Sequence, residues 1–98
     1  MTLFERLYDE SEKVNVQFVG MTTDHSRYDF GIVYTSLFFG KPLINCLQSG
    51  KCLLLGREDV EDLDMIKSSF QVTDDTEALA LSEFLKSVLP PLGMEAQY

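Results

Sequence analysis

The first half of the chain carries hydrophobic residues in the patterns of β-strands. From Val14 to Thr22 apolar and polar residues alternate, with Val14, Val16 and Phe18 on one side. This period of two is typical of a half-buried strand. Three further runs of β-branched, aromatic and aliphatic residues predict three more strands, over residues 28–37, 43–47 and 52–55.

After Gly56 the apolar spacing changes to three or four residues, which is the spacing of amphipathic helices. The first such stripe predicts a short helix and comprises Val60, Leu63, Ile66 and Phe70. The second predicts a longer helix and comprises Ala78, Leu81, Phe84, Leu85 and Val88. Asp74 with Glu77 three residues later matches a capping box at its start, and Pro90-Pro91 ends it.

Strands followed by helices predict an α+β fold, an antiparallel meander of about four strands with helices on one face. We expect one domain, made of an N-terminal arm (1–13), the sheet (14–56), a helical part (57–89) and a flexible tail (90–98). The arm has the composition of either a single helical turn or a loose segment.

Both faces of the predicted sheet need cover. Leu43-Ile44 and Leu53-Leu54-Leu55 place apolar side chains on both sides of the pleat. The long helix can cover one face, which leaves the short helix, the arm or a second copy of the protein for the other.

Length and charge limit the function. Ninety-eight residues, 45% of them hydrophobic, suffice for one compact core. A net charge of −8 disfavours nucleic acid and membrane surfaces as partners. The apolar runs are too short for a membrane helix, the first residues lack a signal-peptide pattern, and two cysteines are too few for a disulfide framework. These features predict a cytoplasmic protein.

The two cysteines flank a predicted hairpin turn. A three-residue loop, Gln48-Ser49-Gly50, places Cys46 opposite Cys52, whereas a two-residue loop places Cys46 opposite Leu53 and puts the thiols on opposite faces. We favour the longer loop. A disulfide across it would be strained and therefore redox-sensitive, but two inert, buried thiols are the commoner situation.

Other motifs carry little chemistry. Asp24-His25-Ser26 cannot converge as a catalytic triad because its members are consecutive. The acidic run from Glu58 to Asp64 lacks the glycine and the final glutamate of a calcium loop. No metal or cofactor site is predicted, and nothing assembled indicates an enzyme.

The turn Phe38-Phe39 either folds over the sheet edge or forms a contact patch, because aromatic residues are enriched in interface cores. The predicted contact residues are Phe38, Phe39, Leu43 and Leu54.

Short motifs spread from Leu7 to Val88 resemble a family of small, acidic, uncharacterised proteins, a domain of unknown function, from Firmicutes such as Bacillus and Staphylococcus. The motifs are Tyr8-Asp9, Glu12-Lys13, Phe18-Val19-Gly20, Arg27-Tyr28-Asp29-Phe30, Phe39-Gly40-Lys41, Gln48-Ser49-Gly50-Lys51, Phe70-Gln71 and Glu83-Phe84-Leu85. The resemblance implies a cytosolic bacterial protein and no particular activity.

Three functional hypotheses follow from the sequence. The first is a protein-interaction module that forms a homodimer or binds another protein. The alternative is a thiol redox sensor or small enzyme centred on Cys46 and Cys52. The third is nucleic-acid binding through Lys41, Lys51 and Arg57, which the net charge disfavours.

Overall fold

The computed structural model describes residues 3–90. Four strands form one antiparallel sheet in the order β1-β2-β3-β4, followed by two helices, the second longer. The elements are β1 (Asn15–Thr22), β2 (Arg27–Tyr34), β3 (Leu43–Cys46), β4 (Cys52–Leu54), α1 (Leu63–Phe70) and α2 (Asp75–Val88), with 3₁₀ turns at Phe38–Gly40 and Asp59–Glu61. The predicted α+β fold with an antiparallel meander is confirmed.

Both helices pack on the same face of the sheet. Phe30 and Ile32 of β2 and Ile44 of β3 point toward them and are completely buried. The Phe30 ring meets the Phe70 ring of α1 edge-on, with centroids 5.8 Å apart, and stacks on Phe84 of α2. The rest of the buried core is Cys46, Leu55, Val60, Ile66, Phe70, Ala78, Leu81, Leu85 and Leu89.

The alternation in β1 predicts that the side with Val16 and Phe18 is buried. The helices instead cover the other side of the strand. Val19 and Met21 pack against the core, whereas Val16 and Phe18 are 46% and 75% exposed. The cause is the pairing of Val19 with Phe30, since residues opposite each other in a ladder point to the same face.

The short helical region is divided in two. A 3₁₀ turn at Asp59–Glu61 precedes α1, and the chain becomes extended at Asp62 between them. The Asp62 carboxylate accepts a hydrogen bond from the Met65 backbone N–H at 3.2 Å and so caps α1. One continuous helix from Val60 to Phe70 is therefore not formed, although Val60, Ile66 and Phe70 are buried as their spacing predicts.

The long helix begins as predicted. The Asp74 side chain accepts a hydrogen bond from the Thr76 N–H at 3.3 Å, and Ala78, Leu81 and Leu85 of the predicted stripe are buried. The predicted tail lies outside the described residues, apart from Pro90. No helix within residues 3–90 has the length and apolar character to cross a membrane.

Candidate functional site

Four aliphatic side chains form a continuous strip across the uncovered face of the sheet. Val16 of β1 pairs with Val33 of β2, Val33 with Leu43 of β3, and Leu43 with Leu54 of β4. Cross-strand partners have Cβ atoms about 5 Å apart, so the four side chains lie side by side on this face. Val16 and Leu54 at its ends are 46% and 39% exposed. We call these four residues the aliphatic row.

Phe18 lies beside the aliphatic row on the same face. Its position faces Gly31, and a Cβ atom on Gly31 would lie 3.4 Å from Cε1 of the Phe18 ring. The glycine therefore leaves room for the ring to lie across β2, where it stays 75% exposed. The ladder continues through Asn45 to Cys52. We call the aliphatic row together with Phe18, Gly31, Asn45 and Cys52 the open face.

Nothing in the described part of the chain covers the open face. The helices lie on the other side of the sheet, where they contact Phe30 and Ile32. Residues 3–13 of the arm form no helix or strand, and Leu3 and Leu7 are 89% and 88% exposed. Of the three covers that the sequence suggests, the short helix and the arm of the same chain are thus not used.

One contact attaches the base of the arm. The Glu12 carboxylate accepts hydrogen bonds from the hydroxyls of Thr35 and Ser36 and, at 3.0 Å, from the Ser36 backbone N–H. The bond from the Ser36 hydroxyl, followed by those from the Thr35 hydroxyl and the Ser36 backbone, holds the pKa of Glu12 below its ordinary value. The arm is therefore anchored next to the end of β2.

The turn between β2 and β3 presents two phenylalanines to solvent. Phe38 is 45% exposed and Phe39 is fully exposed. Both have left-handed backbones, with φ of 54° and 63°, a conformation that costs about 1–2 kcal/mol for a residue with a Cβ atom. β2 ends at Tyr34, three residues before the predicted end at Leu37, and the residues between lead into this turn. Residues held in strained backbone conformations cluster at functional sites.

The predicted alignment of Cys46 with Cys52 is wrong. The hairpin loop has four residues, Leu47 to Gly50, because the Cys46 N–H donates to the Lys51 carbonyl and the Gly50 N–H to the Cys46 carbonyl, each at 2.8 Å. Cys52 consequently pairs with Asn45. Cys46 lies buried in the core and Cys52 lies exposed on the open face, both as free thiols. A bond between them would have to cross the sheet.

The partners of Glu77 are not predicted by the sequence pattern. Instead of closing a capping box with Asp74, this buried carboxylate accepts hydrogen bonds from the Tyr28 hydroxyl at 2.7 Å and the Thr23 hydroxyl at 2.9 Å. Burial, and then the bond to Glu77, raises the pKa of Tyr28. One feature of the sequence does indicate that Glu77 is buried. The next residue, Ala78, belongs to the predicted apolar stripe, so Glu77 lies on the edge of the buried side of the helix.

One of the three basic residues of the nucleic-acid hypothesis, Lys41, is neutralised by an ion pair. Lys41 Nζ lies 2.9 Å from Asp59 Oδ2, an ion pair that raises the pKa of Lys41. Asp59 also accepts a hydrogen bond from the Gly56 N–H at 2.7 Å. Asp59 thus anchors the segment after β4. Because its charge balances that of Lys41, the pair is poorly suited to bind a phosphate backbone.

The model of the family described as SAV0927-like matches residues 7–87. No curated protein matches the chain. The matched segment spans the sheet and nearly all of α2, and it confirms the resemblance to a family of small proteins without an assigned activity.

Proposed function

The chain belongs to the SAV0927-like family, and we propose that it is a cytosolic protein-interaction module that forms a homodimer through the open face of its sheet. The observation that carries this proposal is the aliphatic row with Phe18 beside it. Contiguous exposed apolar surface of this kind is typical of interaction sites on soluble proteins.

A second copy suits this face because of its charge. The only charged residues on this side of the four strands are Arg27 and Asp29, and they pair with each other at 3.0 Å. The segment from Arg57 to Lys86 holds nine acidic and three basic residues, and its helices lie behind the sheet. Two copies of net charge −8 therefore repel each other least when their open faces meet.

The proposed dimer is a sandwich of two sheets with the helices outside. Packed sheets lie about 10 Å apart and interdigitate their side chains. Phe18 then inserts between the sheets, and Leu43 and Leu54 become buried. Phe38 and Phe39, at one end of the sheet, extend the contact.

The test is the molar mass in solution, measured by light scattering on a sizing column over a range of concentrations. The expected mass is twice 11.1 kDa, in the presence and absence of reductant, because no disulfide is involved. Leu54→Lys should give a folded monomer. The matched control is Leu79→Lys, since Leu79 is 48% exposed on α2, and this variant should remain a dimer.

Circular dichroism establishes that both variants are folded. A folded Leu54→Lys protein that remains a dimer would remove the open face from the proposal. A mass that doubles only without reductant would instead indicate a disulfide through Cys52.

A further inference from the structure

Within residues 3–90, no strand pairs with the outer edge of β1. β1 is an edge strand whose neighbour is β2. The Thr23 N–H donates to the Ser26 carbonyl at 2.8 Å, directly after the pair Thr22 and Arg27. Since the backbone groups of a strand face alternate sides, odd-numbered residues of β1 bond to β2. The even-numbered ones, including Val16 and Phe18, direct their N–H and C=O groups away from the sheet.

This edge lacks the features by which proteins protect edge strands. β1 has eight residues and contains no charged residue, no proline and no interruption of its register. Charges, prolines, bulges and shortness are the usual protections. The other edge strand, β4, is protected by its length of three residues. The β1 edge is thus suited to accept another strand.

The N-terminal arm matches this edge on both sides. In an extended arm Leu3 and Leu7 would share one side and Phe4 and Tyr8 the other, and all four are at least 62% exposed. β1 likewise has apolar residues on both sides, with Val16 and Phe18 on the open face and Val19 and Met21 facing the core. A strand made from the arm would extend the apolar surface on each face.

The arm of the same chain is badly placed for this edge. Glu12 is bonded to Thr35 and Ser36, which continue from β2, so the arm leaves on the β2 side of β1. Pairing with its own outer edge would need the chain to reverse between Tyr8 and Asn15, and Glu12, in the middle of that stretch, is held on the β2 side.

We propose that the arm of each copy adds as a fifth strand to the outer edge of β1 in a second copy, with residues 3–8 forming the strand. The inference rests on the proposed homodimer and specifies how its arms are used. The exchange is reciprocal, and it satisfies the free backbone groups of the edge while it covers the four exposed side chains of the arm.

Amide hydrogen exchange followed by NMR tests the exchange of arms. In the full-length dimer the amides of Val16, Phe18 and Gly20 should exchange at least tenfold more slowly than in the variant Leu3→Gln/Leu7→Gln. The amides of Gln17 and Val19 bond to β2, so their exchange should be equal in both proteins. The matched control, Glu5→Gln/Asp9→Asn, changes the same side of the arm and should keep the protection.

The outcomes separate this inference from the proposed dimer. If full-length protein is a dimer but its even-numbered β1 amides exchange as fast as in the leucine variant, the arm proposal is wrong and the dimer stands. If these amides are protected in a dilute monomer, the arm folds onto its own chain and the proposal is also wrong. A monomer at every concentration overturns both.

Discussion

The hydroxyl of Tyr28 on β2 donates a hydrogen bond to the Glu77 carboxylate on α2 over 2.7 Å. Thr23, in the turn after β1, donates to the same oxygen at 2.9 Å. The first turn of α2 is thereby joined to the hairpin of β1 and β2. A buried carboxylate needs such donors, because an unsatisfied one is costly to remove from water.

Replacing Glu77 by Ala should lower the free energy of unfolding by about 1–3 kcal/mol, since two hydroxyls lose their acceptor. Tyr28→Phe should cost less, and the double variant should cost less than the sum of the two. Urea denaturation measures all three. Glu83→Ala, at an exposed glutamate of the same helix, is the control and should be neutral. Additive effects of Glu77→Ala and Tyr28→Phe would mean that the bond contributes nothing to stability.

Stability should fall at alkaline pH. Burial and the bond to Glu77 raise the pKa of Tyr28 above its ordinary value of 10. The unfolded chain therefore loses this proton first, and the stabilisation, intact below pH 10, is lost as the pH rises through the folded pKa. Thermal unfolding across this range should show a shallower decline for Tyr28→Phe. Some decline should persist, because burial also raises the pKa of Tyr34. Identical slopes would contradict the prediction.

Two serines that make similar bonds should differ in importance. Ser82 is buried and donates to the Val60 carbonyl at 2.6 Å, joining α2 to the 3₁₀ turn before α1. Ser87 is exposed and donates to the Phe84 carbonyl within its own helix at 2.6 Å. Ser82→Ala should cost about 1–3 kcal/mol by leaving a buried carbonyl unpaired. Ser87→Ala should change stability by less than about 0.5 kcal/mol. Equal effects in chemical denaturation would show that the bond to Val60 is not structural.

Stability and association should respond oppositely at Phe39. Asparagine tolerates the left-handed backbone that Phe39 adopts, so Phe39→Asn should stabilise the folded chain by about 0.5–1 kcal/mol. The side chain is fully exposed, so no packing within the chain is lost. If Phe39 contacts a second copy, dimer dissociation should become easier. Denaturation of dilute protein and light scattering measure the two effects. Phe4→Asn is the control for stability and should leave it unchanged.

The fold class and the buried stripe of α2 could be read from the sequence because both depend on local periodicity. Ala78, Leu81 and Leu85 recur at helical spacing, and any helix that holds them presents one apolar side. The Asp74 cap is equally local, since its bond to the Thr76 N–H spans two residues.

Which side of a strand is buried, and which residues pair, was decided by the tertiary structure. The four-residue loop between Leu47 and Gly50 set Cys52 against Asn45 instead of Cys46. The pairing of Val19 with Phe30 turned Phe18 outward although its own alternation indicated burial. Glu77 accepts a hydrogen bond from Tyr28, 49 positions earlier in the chain, and does not form the predicted capping box with Asp74. Periodicity predicts which residues share one side of a strand or helix. Strand register and helix packing depend on contacts between residues distant in the chain, and they determine which side is buried and against which residues.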